Sequence, residues 1–269
     1  MRVLVTGAAG SIGRTLAQGL PALGHELRAL DVVDAPELAP AFSLGWTVGD
    51  CLDAAVVDAA VAGVDAVVHL AGNPDEGSLT ASLESHVHTT GHLLDAMVRH
   101  GVGRFVYAGS NHAVGRTPRT DLVPADAEPR PDTFYGVSKV AAEAVMRLYV
   151  DRHGLDAVSC RIGSFLPQPE TRRNLATWLS PHDCVRMVHA SLTAPSPGFV
   201  QVWGISANTD RWWDLSAGRA IGYDPQDDAA GWAGDLPARA ADDAEAAYVG
   251  GPFATSEHER PAFDPVQEA

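Results

Sequence analysis

MRVLVTGAAGSIG, residues 1–13, holds a strand, a turn and the start of a helix in thirteen residues. RVLVT is an apolar, branched run, and Gly7, Gly10 and Gly13 follow it at GxxGxxG spacing, leading straight into the helical pattern SIGRTLAQGLPALG. Glycine permits the tight turn and lets the backbone approach a bound group, and the helix that begins there turns its positive end toward that group. Such a cradle suits a pyrophosphate, with Ser11 and Ile12 in the same turn. Any strand-to-helix turn favours glycine, so the context decides. A second strand, ELRALD, ends at Asp31, 18 residues beyond Gly13. A carboxylate there hydrogen-bonds the adenosine ribose and repels a 2′-phosphate, which selects NAD over NADP. Asp50, in GDCLD after the third strand, either faces the adenine or serves its own turn.

Working outward, apolar runs alternate with helical patterns. WTVGD, DAVVHLAG, RFVYAGS and LDAVSCRIGS read as further strands; DAAVVDAAVAG, LESHVHTTGHLLDAMVRHG and YGVSKVAAEAVMRLYVDRHG read as helices. Strands of continuous apolar residues joined by helices predict an α/β fold with a doubly wound parallel sheet. The spacing also predicts a helix in LSPHDCVRMVHASLTAP, capped by Ser180 with Pro181 in its first position, and a strand in FVQVWGISA. The expected division is an NAD-binding domain over residues 1–160 and a small substrate lobe over 161–269. Its last 60 residues, rich in Asp, Ala, Gly and Pro, read as loosely structured, with a partly mobile tail.

With 269 residues the chain is long enough for a substantial core. The formal net charge of −15 argues against nucleic acid, whose phosphates need Lys and Arg. Cys51, Cys160 and Cys184 are widely spaced, which supports neither disulfides nor a cysteine zinc site and fits a cytoplasmic location. No apolar run nears the roughly 20 residues of a membrane span, and no signal segment precedes the first strand. No metal is expected: His86, His88 and His92 do not share one helical face.

YGVSK places Tyr135 and Lys139 four apart, on one face of a helix. A free tyrosine, with a pKa of about 10, is a poor base, and a nearby ammonium favours its phenolate. Ser110 ends the fifth strand, at the edge where a doubly wound sheet binds ligands, and its hydroxyl is placed to orient a substrate oxygen. TGAAGSIG, Asp31, HLAG, Ser110 with Gly115 five residues on, and YGVSK together resemble the extended short-chain dehydrogenase/reductase family. The resemblance implies Tyr135 as acid/base, Lys139 on the nicotinamide ribose, Ser110 on the reacting oxygen, and cofactor contacts from Leu52, Leu70 and Ala71. One position departs: the Asn of the family's NxxGT helix pattern is His86 here, in HVHTT.

SNHAVG, YGVSK, CRIGS, RRNLATWLSPHD, VWGISAN and WWDLS resemble, more narrowly, the uronate dehydrogenase branch of that family. That branch oxidises glucuronate or galacturonate with NAD at the anomeric carbon to an aldarolactone. The resemblance implies that Arg173 binds the substrate carboxylate, with Ser110, Asn111, His112, Tyr135 and Ser164 around the sugar. A guanidinium suits a carboxylate because it makes two parallel charge-assisted hydrogen bonds. Arg172 reads as a surface residue or a partner of Glu170, and Trp212 and Trp213 as core or interface. HLAGNPDEGS puts Pro74 where related enzymes place a small hydroxyl residue, with Asp75 and Glu76 expected to point outward. Two alternatives stand: a dehydrogenase or epimerase for another sugar, and a non-catalytic NAD sensor. By analogy alone, helices 81–100 and 136–153 are where a homo-oligomer would pair.

Overall fold

The computed structural model describes residues 1–119 and 122–263. Seven parallel strands form its centre: β1 (Arg2–Thr6), β2 (Glu26–Asp31), β3 (Trp46–Val48), β4 (Ala66–His69), β5 (Arg104–Ser110), β6 (Asp156–Ile162) and, later in the chain, Phe199–Gly204. A two-stranded pair, β7 (Ser164–Phe165) and β8 (Trp178–Leu179), lies apart from that sheet and precedes Phe199–Gly204, which is therefore β9. The strand order β3-β2-β1-β4-β5-β6-β9 reverses direction between β1 and β4. At such a switch point the loops leaving neighbouring strands diverge and open a crevice at their carboxyl ends.

Parallel pairing needs long crossovers, supplied here by α1 (Ser11–Gly19), α2 (Ala54–Val61), α3 (Leu79–Leu83), α4 (Thr89–His100), α5 (Phe134–His153), α6 (Asn174–Thr177) and α7 (Pro181–Thr193). Alternate side chains of each strand feed opposite faces. Val3 and Val5 of β1 join the core beneath α1 and α7; Leu4 joins the one beneath α2, α4 and α5. Both faces are covered, so the strands read as unbroken apolar runs.

The helix ends follow the sequence chemistry. Asp53 accepts from the Ala55 and Val56 amides at the start of α2, Thr133 accepts from Gly136 N at the start of α5, and Ser180 accepts from Asp183 N ahead of Pro181. Gly154 closes α5 with φ 69°, a conformation glycine adopts without strain. The long helix expected over 83–101 is interrupted: Glu84–His88 form a π-helical turn between α3 and α4, which carries the buried His86.

The division expected at residue 160 falls inside β6, and α7 and β9 complete the sheet's layers beyond it. A third core gathers Trp203, Trp212 and Trp213 with Val123, Ile205 and Val249, so the two tryptophans of RWWD are buried. Val249 links residues near the C-terminus to this core. The stretch read as loosely structured is therefore built into the core at Val249 and tied to Leu79 N through the Ala262 carbonyl at 2.8 Å, and residues 264–269 lie outside the described residues. Among the described residues, no helix is long and apolar enough to cross a membrane.

Candidate active site

The loop after β1 opens a cleft of about 590 Å³ at the switch point. Gly7 enters at φ +67°, and a β-carbon on it would stand 2.7 Å from the Ala71 amide nitrogen. One on Gly13 would overlap the Ala8 carbonyl oxygen. Both positions therefore need glycine for close packing of loop against strand end. Asp31 is buried, its Oδ2 accepting from Ala9 N at 2.8 Å and its Oδ1 from Val33 N at 2.9 Å. The carboxylate thus joins the glycine loop to the end of β2, where a ribose diol would meet it. Gly7, Gly10, Asp31, Asp50, Leu52, Leu70 and Ala71 line this cleft. Ser11 is exposed at the helix start, Gly13 is buried beneath the loop, and Ile12 faces the neighbouring cavity. Asp50 makes a turn, accepting from Leu52 N at 2.9 Å. Arg14, Val32 and Val33 also line the cleft and were missed; their only sequence signal was proximity to the glycine loop and to Asp31. The glycine cradle and the acid at the end of β2 fit a dinucleotide.

Leu70 and Gly72 also line a second cavity of about 250 Å³, so the two share part of a wall. Ser110, Asn111, His112, Tyr135 and Lys139 meet there, brought together from the end of β5, the turn after it and the first turns of α5. Lys139 is buried, with Nζ donating to the Ala108 carbonyl at 2.8 Å and lying 5.3 Å from the centre of the Tyr135 ring. Behind it, Glu143 and Arg161 form a buried ion pair at 2.7 Å, and Ser159 and Gln201 complete the carboxylate's hydrogen bonds. Burial pushes Lys139 down to about 7, against the pull of Glu143. Burial likewise pushes Tyr135 up to about 12; the Ser110 hydroxyl lowers it, and the charge of Asp132 adds to the rise. In the protein alone, desolvation thus outweighs the ammonium effect expected from the YxxxK spacing.

His86 lies under this cavity. Its Nε2 is 2.9 Å from the Asn73 carbonyl oxygen, its ring meets that of Tyr135 edge-on at 5.2 Å, and burial pushes it down to about 2, so it is neutral. The 73–78 loop departs from expectation at Glu76. Rather than pointing outward, its carboxylate accepts from Phe134 N at 3.0 Å and Tyr135 N at 2.9 Å. Two free amides and the positive end of a 20-residue helix draw the carboxylate in. Pro74 lines the cavity and offers no donor there.

Ser164 and Arg173 lie outside this lining. The Ser164 hydroxyl is 2.9 Å from that of Thr177. Arg173 Nη2 donates to the Val249 carbonyl at 2.7 Å, and the Asn111 amide donates to the same oxygen at 3.3 Å. One carbonyl near the C-terminus thus joins Asn111, in the cavity, to Arg173 behind it. Arg173 Nη1 is buried without a partner. Burial pushes the guanidinium down to about 10 while Glu245 and Asp132 oppose that shift, so it stays charged at neutral pH. Arg172 is exposed and donates to the Leu236 carbonyl. Val249, Gly250 and Phe253 went unread as site residues, although the Gly-Gly pair in YVGGPF marks a tight backbone approach.

Residues 3–179 match the model of the NAD dependent epimerase/dehydratase family. The chain belongs to that family. Over 260 residues it is 38% identical to a uronate dehydrogenase of Pseudomonas putida, an alignment covering 95% of this chain and 96% of that one. It is 36% identical over 258 residues to an L-arabinose 1-dehydrogenase of Haloferax volcanii, covering 85% and 98%. The crystal structure of uronate dehydrogenase from Agrobacterium tumefaciens superposes with a TM-score of 0.88 at 36% identity, covering 97% of this chain and 98% of that one, and a mutant of it is solved with NAD. This family member is an NAD-dependent oxidoreductase with a Rossmann-type sheet.

Proposed function

We propose that the protein oxidises a hexuronate, glucuronate or galacturonate, at its anomeric carbon with NAD, giving an aldarolactone that opens without the enzyme. The observation that carries this reading is the convergence of Ser110, Tyr135 and Lys139 on one cavity whose wall shares Leu70 and Gly72 with the glycine cleft. Similarity to uronate dehydrogenases along nearly the whole chain supports the substrate class.

The Gly7–Gly13 turn would hold the cofactor's phosphates, Asp31 its adenosine ribose and Lys139 its nicotinamide ribose. When bound, the cofactor supplies the hydride acceptor. Tyr135 takes the proton of the anomeric hydroxyl. A phenol held at about 12 gives up its own proton reluctantly, so Ser110, whose hydroxyl lowers that value, supports the phenolate and orients the sugar oxygen. Glu76 and Thr133 fix the first turn of α5 and so the backbone that carries Tyr135. Asn111 and His112 contact the sugar. Ser164 and Arg173, outside that lining, reach it once the Val249 carbonyl held by Asn111 and Arg173 moves aside. The guanidinium, charged despite its burial, then takes the carboxylate through its unpartnered Nη1.

The relatives include enzymes named for glucose-6-phosphate and for L-arabinose, so the discriminating assay is a substrate panel. Purified protein with NAD is expected to form NADH rapidly with galacturonate and glucuronate, and slowly or not at all with galactose, glucose, L-arabinose and glucose 6-phosphate. Turnover of a neutral sugar at least as fast would reject the uronate reading and leave the tyrosine chemistry standing. NAD binding with no turnover of any sugar would favour a sensor.

A further inference from the structure

We propose that Asp132 is a positioning residue for sugar recognition, acting through the His112 imidazole rather than on the substrate. The inference rests on the uronate reading above and deepens it. His112 sits in the turn after β5, its backbone N–H donating to Ser110 Oγ at 3.2 Å, and its ring lines the cavity. Its Nδ1 is 2.9 Å from Asp132 Oδ2, and the Asp132 side chain is wholly buried. The other carboxylate oxygen accepts from Thr133 Oγ1 at 3.1 Å.

The space around the carboxylate is made by glycine. A β-carbon on Gly115 or on Gly250 would overlap Asp132 Oδ2, and Gly250 N donates to the Gly115 carbonyl at 2.8 Å. Residues 115, 132 and 250 thus close a box around one carboxyl group, with the His112 ring as the only basic side chain at ion-pair distance among the described residues. Phe253 covers that ring at 4.3 Å and Tyr135 meets it edge-on at 5.8 Å, so the imidazole has little freedom to flip.

The chemistry follows from the tautomer. An ionised carboxylate only accepts hydrogen bonds, so the nitrogen facing it carries a proton. With Nδ1–H committed to Asp132, Nε2 is left for the cavity, and in the neutral ring it is an acceptor for a sugar hydroxyl. An Asn at 132 would offer either an oxygen or an N–H to the same nitrogen and so would release that choice. Asp132 is also one of the charges that oppose the effect of burial on Arg173; an effect routed through that charge, rather than through the imidazole, would survive in a His112→Gln background. A double-variant cycle separates the two routes.

Two readouts test the proposal. Long-range nitrogen–proton spectra of the imidazoles, with His112 assigned from its loss in His112→Gln, are expected to show the Nδ1–H tautomer for wild-type protein in alkaline buffer. A dominant Nε2–H tautomer would overturn the proposal whether or not Asp132→Asn folds. In kinetics, Asp132→Asn is expected to raise the uronate KM roughly tenfold, the order of one lost hydrogen bond, with kcat and the NAD KM little changed. In a His112→Gln background the same substitution is expected to add nothing. An additive loss in that background, or a joint rise in both KM values with a fallen melting temperature, would overturn it. If wild-type protein turns over no uronate, the functional reading fails by itself, and the spectrum still decides the tautomer.

Discussion

The cofactor cleft and the sugar cavity share Leu70 and Gly72 but are made of different materials. The cleft is mostly backbone: a glycine turn between β1 and α1, and strand ends tied together by Asp31. Its working parts lie within a few dozen residues of each other. The cavity is mostly side chains gathered from far along the chain. Ser110 and His112 follow β5, Tyr135 and Lys139 come from α5, His86 comes from a π-helical turn, and Val249 closes the back through Asn111 and Arg173. A backbone site tolerates sequence drift wherever glycine is kept, whereas a side-chain site changes specificity with single residues. On the proposed reading, cofactor choice rests on a local turn and its acid, and substrate choice on long-range contacts.

Three experiments would break or sharpen that contrast. Tyr135→Phe removes chemistry from the cavity while the cleft stays intact, so kcat is expected to fall on the order of 10²–10⁴-fold with the NAD dissociation constant unchanged by titration. A parallel loss of NAD binding would mean that the two regions are not separable. A matched pair of glycine substitutions comes next in size. Gly13→Ala drives a β-carbon into the Ala8 carbonyl and is expected to raise the NAD KM roughly tenfold or more. Gly250→Ala drives one into Asp132 and is expected to raise the uronate KM instead. Steady-state kinetics with each substrate varied in turn would show whether the effects stay in their own regions.

The third experiment reads stability rather than turnover, as acid sensitivity. Burial holds His69 at about 3, His86 at about 2 and His25 at about 4, all below the ordinary 6.5. Between pH 6.5 and about 4 the unfolded chain therefore binds protons that the folded chain refuses. The stability this represents is complete above 6.5 and is lost as pH falls, at about 1.4 kcal/mol per pH unit for each fully neutral histidine. Urea titrations across that window should show the decline, and His69→Gln should make it shallower.

Much of this was legible in the sequence. Six of the sheet's strands followed from apolar runs of strand length, while β9 was read as a strand but placed in the second lobe. GxxGxxG with Asp31 located the cleft because its chemistry is local. The Ser180 cap and the buried Trp212 and Trp213 were also readable. Glu76 was misread because its charge suggested solvent, while the amides that draw it in belong to residues 134 and 135, 58 and 59 positions away. The Gly250–Asp132 box spans a still longer gap, and the Asp, Ala and Gly content around it resembled a loose tail. Composition describes what a segment is able to do alone, and this one acts only against its distant partners. Desolvation of Tyr135 and Lys139 was equally invisible, since burial is a property of the assembled site.

The central claim is that the cavity recognises a sugar acid through Arg173 while the cleft remains indifferent to it. The most direct measurement is the ratio of kcat/KM for galacturonate to that for galactose, in wild-type protein and in Arg173→Ala, with NAD saturating. The account predicts a large ratio in the wild type that collapses by roughly a hundredfold or more in the variant, the order of a lost charge-assisted pair, with the NAD KM unmoved. A ratio unchanged by the substitution would contradict it and place carboxylate recognition elsewhere in the cavity.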